Sequence, residues 1–247
     1  MTKRRRKHNK QTNQPTNKLT DLLRWLVIIT IPFFLTLVAL RVLISWNAPS
    51  YPEWEYGRIP PDRYGFTQEE RQELAEATLA YLRQPEPAEE VIFMLEDLRL
   101  PGTDEPLYFP GEISHMLDVK IVADQFRRLM WALGLVVVGG LAFLLAREET
   151  RPSGIDALYR GGLLTGGILL GMGLLILLAW NFVFVQFHEL LFPPGSWTFR
   201  YTDSLIRLFP EQFWFDFGVV WVGAIFVLGI ILAGIGYFLS KRPEISS

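Results

Sequence analysis

Four apolar runs, at residues 25–45, 129–146, 163–185 and 217–239, dominate this chain. Each is close to the roughly 20 residues that a helix needs to cross about 30 Å of hydrocarbon. A backbone in lipid must satisfy its own polar groups, and an α-helix does so within a single segment. The expected fold is therefore an all-α membrane protein, a four-helix transmembrane bundle with a small extracytoplasmic subdomain between spans one and two. The second run is the shortest, and the helical pattern ahead of it extends it. Half of the 247 residues are hydrophobic, too many and too clustered for an ordinary soluble domain.

Basic residues orient the spans. Lys3, Arg4, Arg5, Arg6, Lys7, Lys10 and Lys18 precede the first. Arg147, Arg151 and Arg160 surround the connection between spans two and three, and Lys241 and Arg242 follow the fourth. All three regions fall on one side, which is predicted to be cytoplasmic. The loop 47–125 carries 17 Asp/Glu against 6 Lys/Arg and is predicted to face out. Arg127 and Arg128, at the outer end of span two, run against this pattern and are outweighed by it. The first span is longer than a signal-peptide core and ends in Leu43-Ile44-Ser45-Trp46, without a small-x-small cleavage site, so it reads as a retained anchor.

The domain reading is a basic, disordered cytoplasmic tail over 1–20, with His8 in it, and a membrane domain over 21–247 that includes the outer subdomain 47–109. A net charge of −2 leaves no cationic footprint for nucleic acid. The absence of cysteine removes disulfides, thiol nucleophiles and thiolate metal sites. Gly162/Gly166 and Gly167/Gly171 are four-residue spacings that allow close helix approach, read here as bundle packing in preference to dimerisation.

In the outer loop, Thr67 and Glu70 have the spacing of a capping box, and the helix they open runs to about Arg83, before Pro85 and Pro87. Residues 91–95 suit a strand or a helical turn, and 97–108, with Pro101-Gly102, suits a hairpin. Pro110 fits a helix start, with Glu112 near the positive end of the dipole, and one unbroken helix is expected over 111–146. After span three, Pro193-Pro194-Gly195 turns the chain, and a short helix is expected over 203–209.

His115 precedes span two and His188 closes span three. Consecutive spans are antiparallel, so both imidazoles lie at the same bilayer surface. His115 stands roughly 15–20 Å above Leu129, at headgroup height or slightly beyond. Two groups that titrate near neutrality at a lipid interface are candidates for acid–base chemistry, and equally for interfacial hydrogen bonding. Other chemistries fit less well. A zinc protease needs H-E-x-x-H, and His188-Glu189 meets Phe192 where the second histidine belongs. Ser114, Ser196 and Ser204 have no nucleophile context. His115, His188, Asp118 and Asp203 have the chemistry of a Zn²⁺ or Mn²⁺ site but no tight ligand spacing. Arg41, near the outer end of span one, either snorkels to the interface or contacts a carbonyl, carboxylate or lipid phosphate.

The string Glu112-Ile113-Ser114-His115-Met116-Leu117-Asp118-Val119-Lys120 resembles the E-x-x-H-M-x-D-V-K motif of the lipoprotein intramolecular transacylase family. Phe187-His188, Trp197, Asp203 and Leu208-Phe209-Pro210-Glu211-x-Phe213 resemble its second motif. The resemblance covers about residues 20–240. It implies a bacterial cell-membrane acyltransferase that acts on diacylated lipoproteins. The acyl chain would leave the sn-2 position of the S-glyceryl group for the α-amine of the N-terminal cysteine, giving a lyso-form lipoprotein. The two essential histidines of the family correspond to His115 and His188. Asp118 or Asp203 would orient a ring or stabilise its cation, and Glu112, Trp197 and Arg41 are the further supporting candidates. No cofactor and no metal are required. The competing readings are a non-catalytic lipid- or lipoprotein-binding membrane protein and a phospholipid acyl hydrolase.

Overall fold

The structure, a computed structural model, describes residues 18–46 and 50–241. Expectations for the tail up to residue 17, His8 among them, fall outside the described residues, and Lys18–Thr20 already belong to the first helix. The helices are α1 (Lys18–Ser45), α2 (Tyr51–Tyr56), α3 (Gln68–Arg83), α4 (Ala88–Val91), α5 (Phe93–Glu96), α6 (Pro110–Ala146), α7 (Arg151–Leu191), α8 (Ser204–Leu208) and α9 (Glu211–Ser240). Helices α1, α6, α7 and α9 are long and apolar enough to cross a membrane. The four spans and the unbroken helix through 111–146 are as the sequence predicts.

The bundle is held by close packing, with no aqueous hydrophobic effect to help inside lipid. Helix α7 packs most extensively on α9. A methyl group at Gly162 would lie 2.4 Å from Ala233 N and 2.6 Å from Gly229 O, so only glycine permits this approach. Gly167 and Gly171 face open space. Helix α1 fills the other side, with Val27, Ile28 and Ile31 against Val137 and Ala157. Trp221 Nε1 donates to Thr36 O at 3.1 Å, tying α9 to α1. Helix α7 leaves helical geometry at Ala179 (φ −145, ψ 45), and no α7 residue beyond Ile176 is buried. Beyond the break, Trp180 and Val183 still pack against the core, and the remaining turns carry His188 to the end of the bundle.

The segment between α1 and α6 shares one core with the long helices. Tyr51, Tyr81, Leu95 and Leu107 pack with Met116 of α6 and Leu208 just before α9. Complete burial of each such side chain stabilises by about 1.5–3 kcal/mol. Local signals set the small helices. Thr67 Oγ1 accepts from Glu70 N at 3.2 Å and Glu70 Oε2 accepts from Thr67 N at 2.8 Å, completing the predicted capping box. Residues 91–95 resolve into helical turns in α4 and α5. The expected hairpin reduces to one bridge, Arg99 to Pro106, because only Leu100 N to Glu105 O and Leu107 N to Leu98 O, both 2.9 Å, span the turn at Gly102.

Asp62 and Arg207 brace this segment against α8. Arg207 Nη2 lies 2.9 Å from Asp62 Oδ2, and the guanidinium sits 3.5 Å over the Phe66 ring. Burial pushes the Asp62 carboxyl up, but hydrogen bonds from Arg207 and from Phe66 N outweigh it and hold the group below its usual range.

Candidate active site

Two helices and one loop build the site. Helix α6 supplies His115 near its start, and α7 supplies His188 one turn from its end. The rings stack with centroids 6.4 Å apart and planes at 25°. The prediction that both imidazoles share one membrane surface is met at contact range.

The loop after α7 closes over them. Phe192 N donates to His188 O at 2.9 Å and ends the helix. Pro193-Pro194-Gly195-Ser196 then turns, with Ser196 N donating to Pro193 O at 3.1 Å. Gly195 takes φ +81, which suits the third position of a type II turn and which a side chain would resist. The turn returns aromatic rings to the histidines. Trp197 lies 4.9 Å from His188 between centroids, and Phe192 and Phe199 lie 4.9 and 5.5 Å from His115. Phe184, one turn back on α7, packs against His188 with centroids 4.1 Å apart and planes tilted by 39°.

The hydrogen bonds distinguish the two imidazoles. His188 Nδ1 lies 2.7 Å from Phe184 O. A carbonyl only accepts, so Nδ1 carries the hydrogen and Nε2 keeps a lone pair. His115 is 6% exposed, and its Nδ1 has no hydrogen-bond partner among the described residues. Trp197 Nε1 is a second buried polar atom without a partner. Leaving such an atom unpaired costs about 1–3 kcal/mol, so each calls for a partner that arrives from outside the fold.

Glu112 has a structural task that the sequence shows only in half. Its Oε2 accepts from Phe109 N at 2.7 Å, which caps α6. Its Oε1 accepts from Leu205 N, also at 2.7 Å, which joins α6 to the start of α8. Asp203 does not meet either histidine. It accepts from Arg200 N at 2.9 Å and from Arg200 Nε at 3.1 Å, folding the loop end on itself. Asp118 is half-buried and forms no hydrogen bond or ion pair with His115 or His188 among the described residues. Arg41 lines a groove against α6 that neither histidine lines. Ser114 is exposed, about 100° around α6 from the buried His115.

Sequence reasoning missed Lys120, which is fully buried. Its ammonium donates to Gln84 O at 2.9 Å and pairs with Asp124 at 3.1 Å, fixing the end of α3 to α6. A lysine four residues before an aspartate on one helix was the available signal, but that pattern also describes a solvated pair. Phe184 was equally hidden, because it acts through its backbone carbonyl.

The fold is that of an integral membrane enzyme, with two histidines facing each other at one end of a four-helix bundle. The family described as lipoprotein intramolecular transacylase Lit matches residues 25–214. The chain belongs to this family. An uncharacterized protein of Aquifex aeolicus (strain VF5) is 31% identical over 227 residues, 91% of this chain and 97% of that one. The membrane-integral lipoprotein intramolecular transacylase of Bacillus cereus has a similar structure, with a TM-score of 0.76 at 23% identity, covering 93% of this chain and 99% of its own. A histidine-to-alanine variant of that protein aligns with a TM-score of 0.68 at 23% identity, over 93% of this chain and 97% of its own.

Proposed function

We propose that His115 and His188 catalyse transfer of the sn-2 acyl chain from the S-diacylglyceryl group to the N-terminal cysteine amine of bacterial lipoproteins. The product is the lyso-form lipoprotein. The reaction takes place at the extracytoplasmic surface of the cell membrane, the side assigned by the Lys/Arg asymmetry. The carrying observation is the stacked pair, with His188 Nε2 left as a base by the Nδ1 hydrogen bond to Phe184 O.

The chemistry follows from these atoms. An α-amine has a pKa near 8, so much of it is protonated at neutral pH and the neutral form must be captured. As its nitrogen attacks the sn-2 ester carbonyl, His188 Nε2 accepts a proton from it. The C–N bond forms, and the carbonyl oxygen takes up negative charge. The free donor of Trp197 and the unpaired edge of His115 are available to that oxyanion. The C–O bond to glycerol then breaks, and the histidine pair returns one proton to the departing oxygen. Net, one proton moves from nitrogen to oxygen. No acyl-enzyme forms, because nucleophile and ester belong to the same molecule, and holding them together supplies a high effective molarity.

Of the two carboxylates with the chemistry to complete a metal site, Asp203 is held by Arg200, and Asp118 forms no hydrogen bond or ion pair with either histidine among the described residues. This supports acid–base chemistry without a metal. The test is mass spectrometry of lipoprotein N-termini after incubation with the protein, with and without excess EDTA. The N-acyl, S-monoacylglyceryl product should form in both. Loss in EDTA with recovery on added Zn²⁺ or Mn²⁺ would make the histidines ligands, and phospholipid hydrolysis without N-acylation would overturn the assigned reaction.

A further inference from the structure

We infer that the groove between α1, the end of α3 and α6 binds the phosphate of a membrane glycerophospholipid, with Arg41 as its anchor. The groove is narrow and partly open, with about 30 Å³ of internal space, room for roughly two water-sized groups such as phosphate oxygens. Its polar end is formed by Arg41, Asp124 and Arg127, and its apolar wall includes Leu37, Phe126 and Met130. Neither histidine of the pair lines this groove. Ala123, which also lines it, is eight positions from His115, about 12 Å along α6.

Charge selects the ligand. The single carboxylate, Asp124, is already held by two cations, Lys120 and Arg127, each at 3.1 Å. Arg127 is further committed to Gln84 O and Pro85 O. Arg41 is half-buried and has no partner among the described residues. The groove and its neighbour Lys120 therefore carry an excess of positive charge, with one guanidinium free. Position selects the source of the anion. Arg41 lies one turn before the end of α1, and Arg127 lies just outside the apolar run that begins at Leu129. Both stand at the edge of the hydrocarbon, where lipid phosphates sit, and the apolar wall continues on the membrane side. A guanidinium donates two parallel hydrogen bonds to phosphate oxygens. This inference rests on α1 and α6 spanning the membrane and is independent of the acyl-transfer reading.

The test uses the full-length protein in detergent, with affinity read by native mass spectrometry and by shift of the thermal midpoint. The probes are dioleoylphosphatidylglycerol, dioleoylglycerol with the same chains and no phosphate, and inorganic phosphate. The phospholipid should bind with one-to-one stoichiometry and raise the midpoint, and the other two should bind about tenfold more weakly or less. Arg41→Met should weaken the phospholipid about tenfold and leave the diglyceride unchanged, the scale of one charge-assisted contact. Arg41→Lys should recover part of the loss. Leu37→Trp, which fills the apolar side and keeps the charge, should also weaken it. Equal binding of diglyceride and phospholipid would mean a neutral acyl site and would overturn the inference. Unchanged phospholipid affinity in both Arg41→Met and Leu37→Trp would do the same.

Discussion

Glu112 Oε1 accepts a hydrogen bond from Leu205 N at 2.7 Å, across 93 positions of sequence. One carboxylate thereby joins the helix that carries His115 to the segment that ends the loop over His188. Glutamine in its place can accept with only one side-chain atom, and its amide hydrogens would meet the second backbone N–H. Glu112→Gln should lower stability by about 1–3 kcal/mol. Small displacements of reacting groups are costly, so turnover should fall about tenfold or more. Thermal melts and lipopeptide assays on the same preparation check both. Normal turnover in a destabilised variant would confine Glu112 to folding.

Trp197 offers a sharper separation of stability from chemistry. Its ring packs against His188, tilted by 36°, while its Nε1 has no hydrogen-bond partner among the described residues. Trp197→Phe keeps an aromatic surface and removes the donor. Turnover should fall about a hundredfold, the scale of a lost oxyanion donor, with a melting temperature close to that of the parent. An unchanged rate would take Trp197 out of the chemistry.

Glu55 makes stability depend on pH. It is fully buried, and burial together with the nearby Asp216 carboxyl pushes its pKa to about 7. A carboxyl whose folded pKa is raised contributes stability below its unfolded value of about 4.5 and loses it as pH climbs through about 7. Glu55→Gln mimics the protonated form. The variant should match the parent at pH 4 and exceed it at pH 8, by up to about 3 kcal/mol. Melting curves at the two pH values decide, and identical curves at pH 8 would contradict the burial account.

Topology can be tested with single cysteines, because the chain has none of its own. Thr103 and Glu148 are both exposed. An impermeant thiol reagent should label Thr103→Cys from the extracytoplasmic side and Glu148→Cys only after the membrane is opened. The reverse pattern would place the histidines on the cytoplasmic side.

Periodicity and local chemistry made much of this fold readable. The four apolar runs, the Thr67/Glu70 capping box, the helix from Pro110 through span two and the Pro193–Gly195 turn are all set by residues within a few positions of one another. The pairing of His115 with His188 was also readable, since antiparallel spans return the chain to one surface. Long-range partners were not. Asp118 and Asp203 had the chemistry to orient a ring, but Asp203 is satisfied by Arg200 three residues away. Sequence places Glu112 at the positive end of the α6 dipole but does not reveal its bonds to Phe109 N and Leu205 N. The break at Ala179 carries no glycine or proline to announce it.

The most direct measurement of the central proposal is the N-terminal lipopeptide mass spectrum made by the parent, His115→Ala, His188→Ala and the double variant, each shown to be inserted in the membrane. The paired-histidine mechanism predicts that each single variant loses lyso-form synthesis and that the double variant is little worse, since groups acting as a unit are not additive. Near-normal N-acylation by either single variant would remove that histidine from the mechanism and contradict the pair.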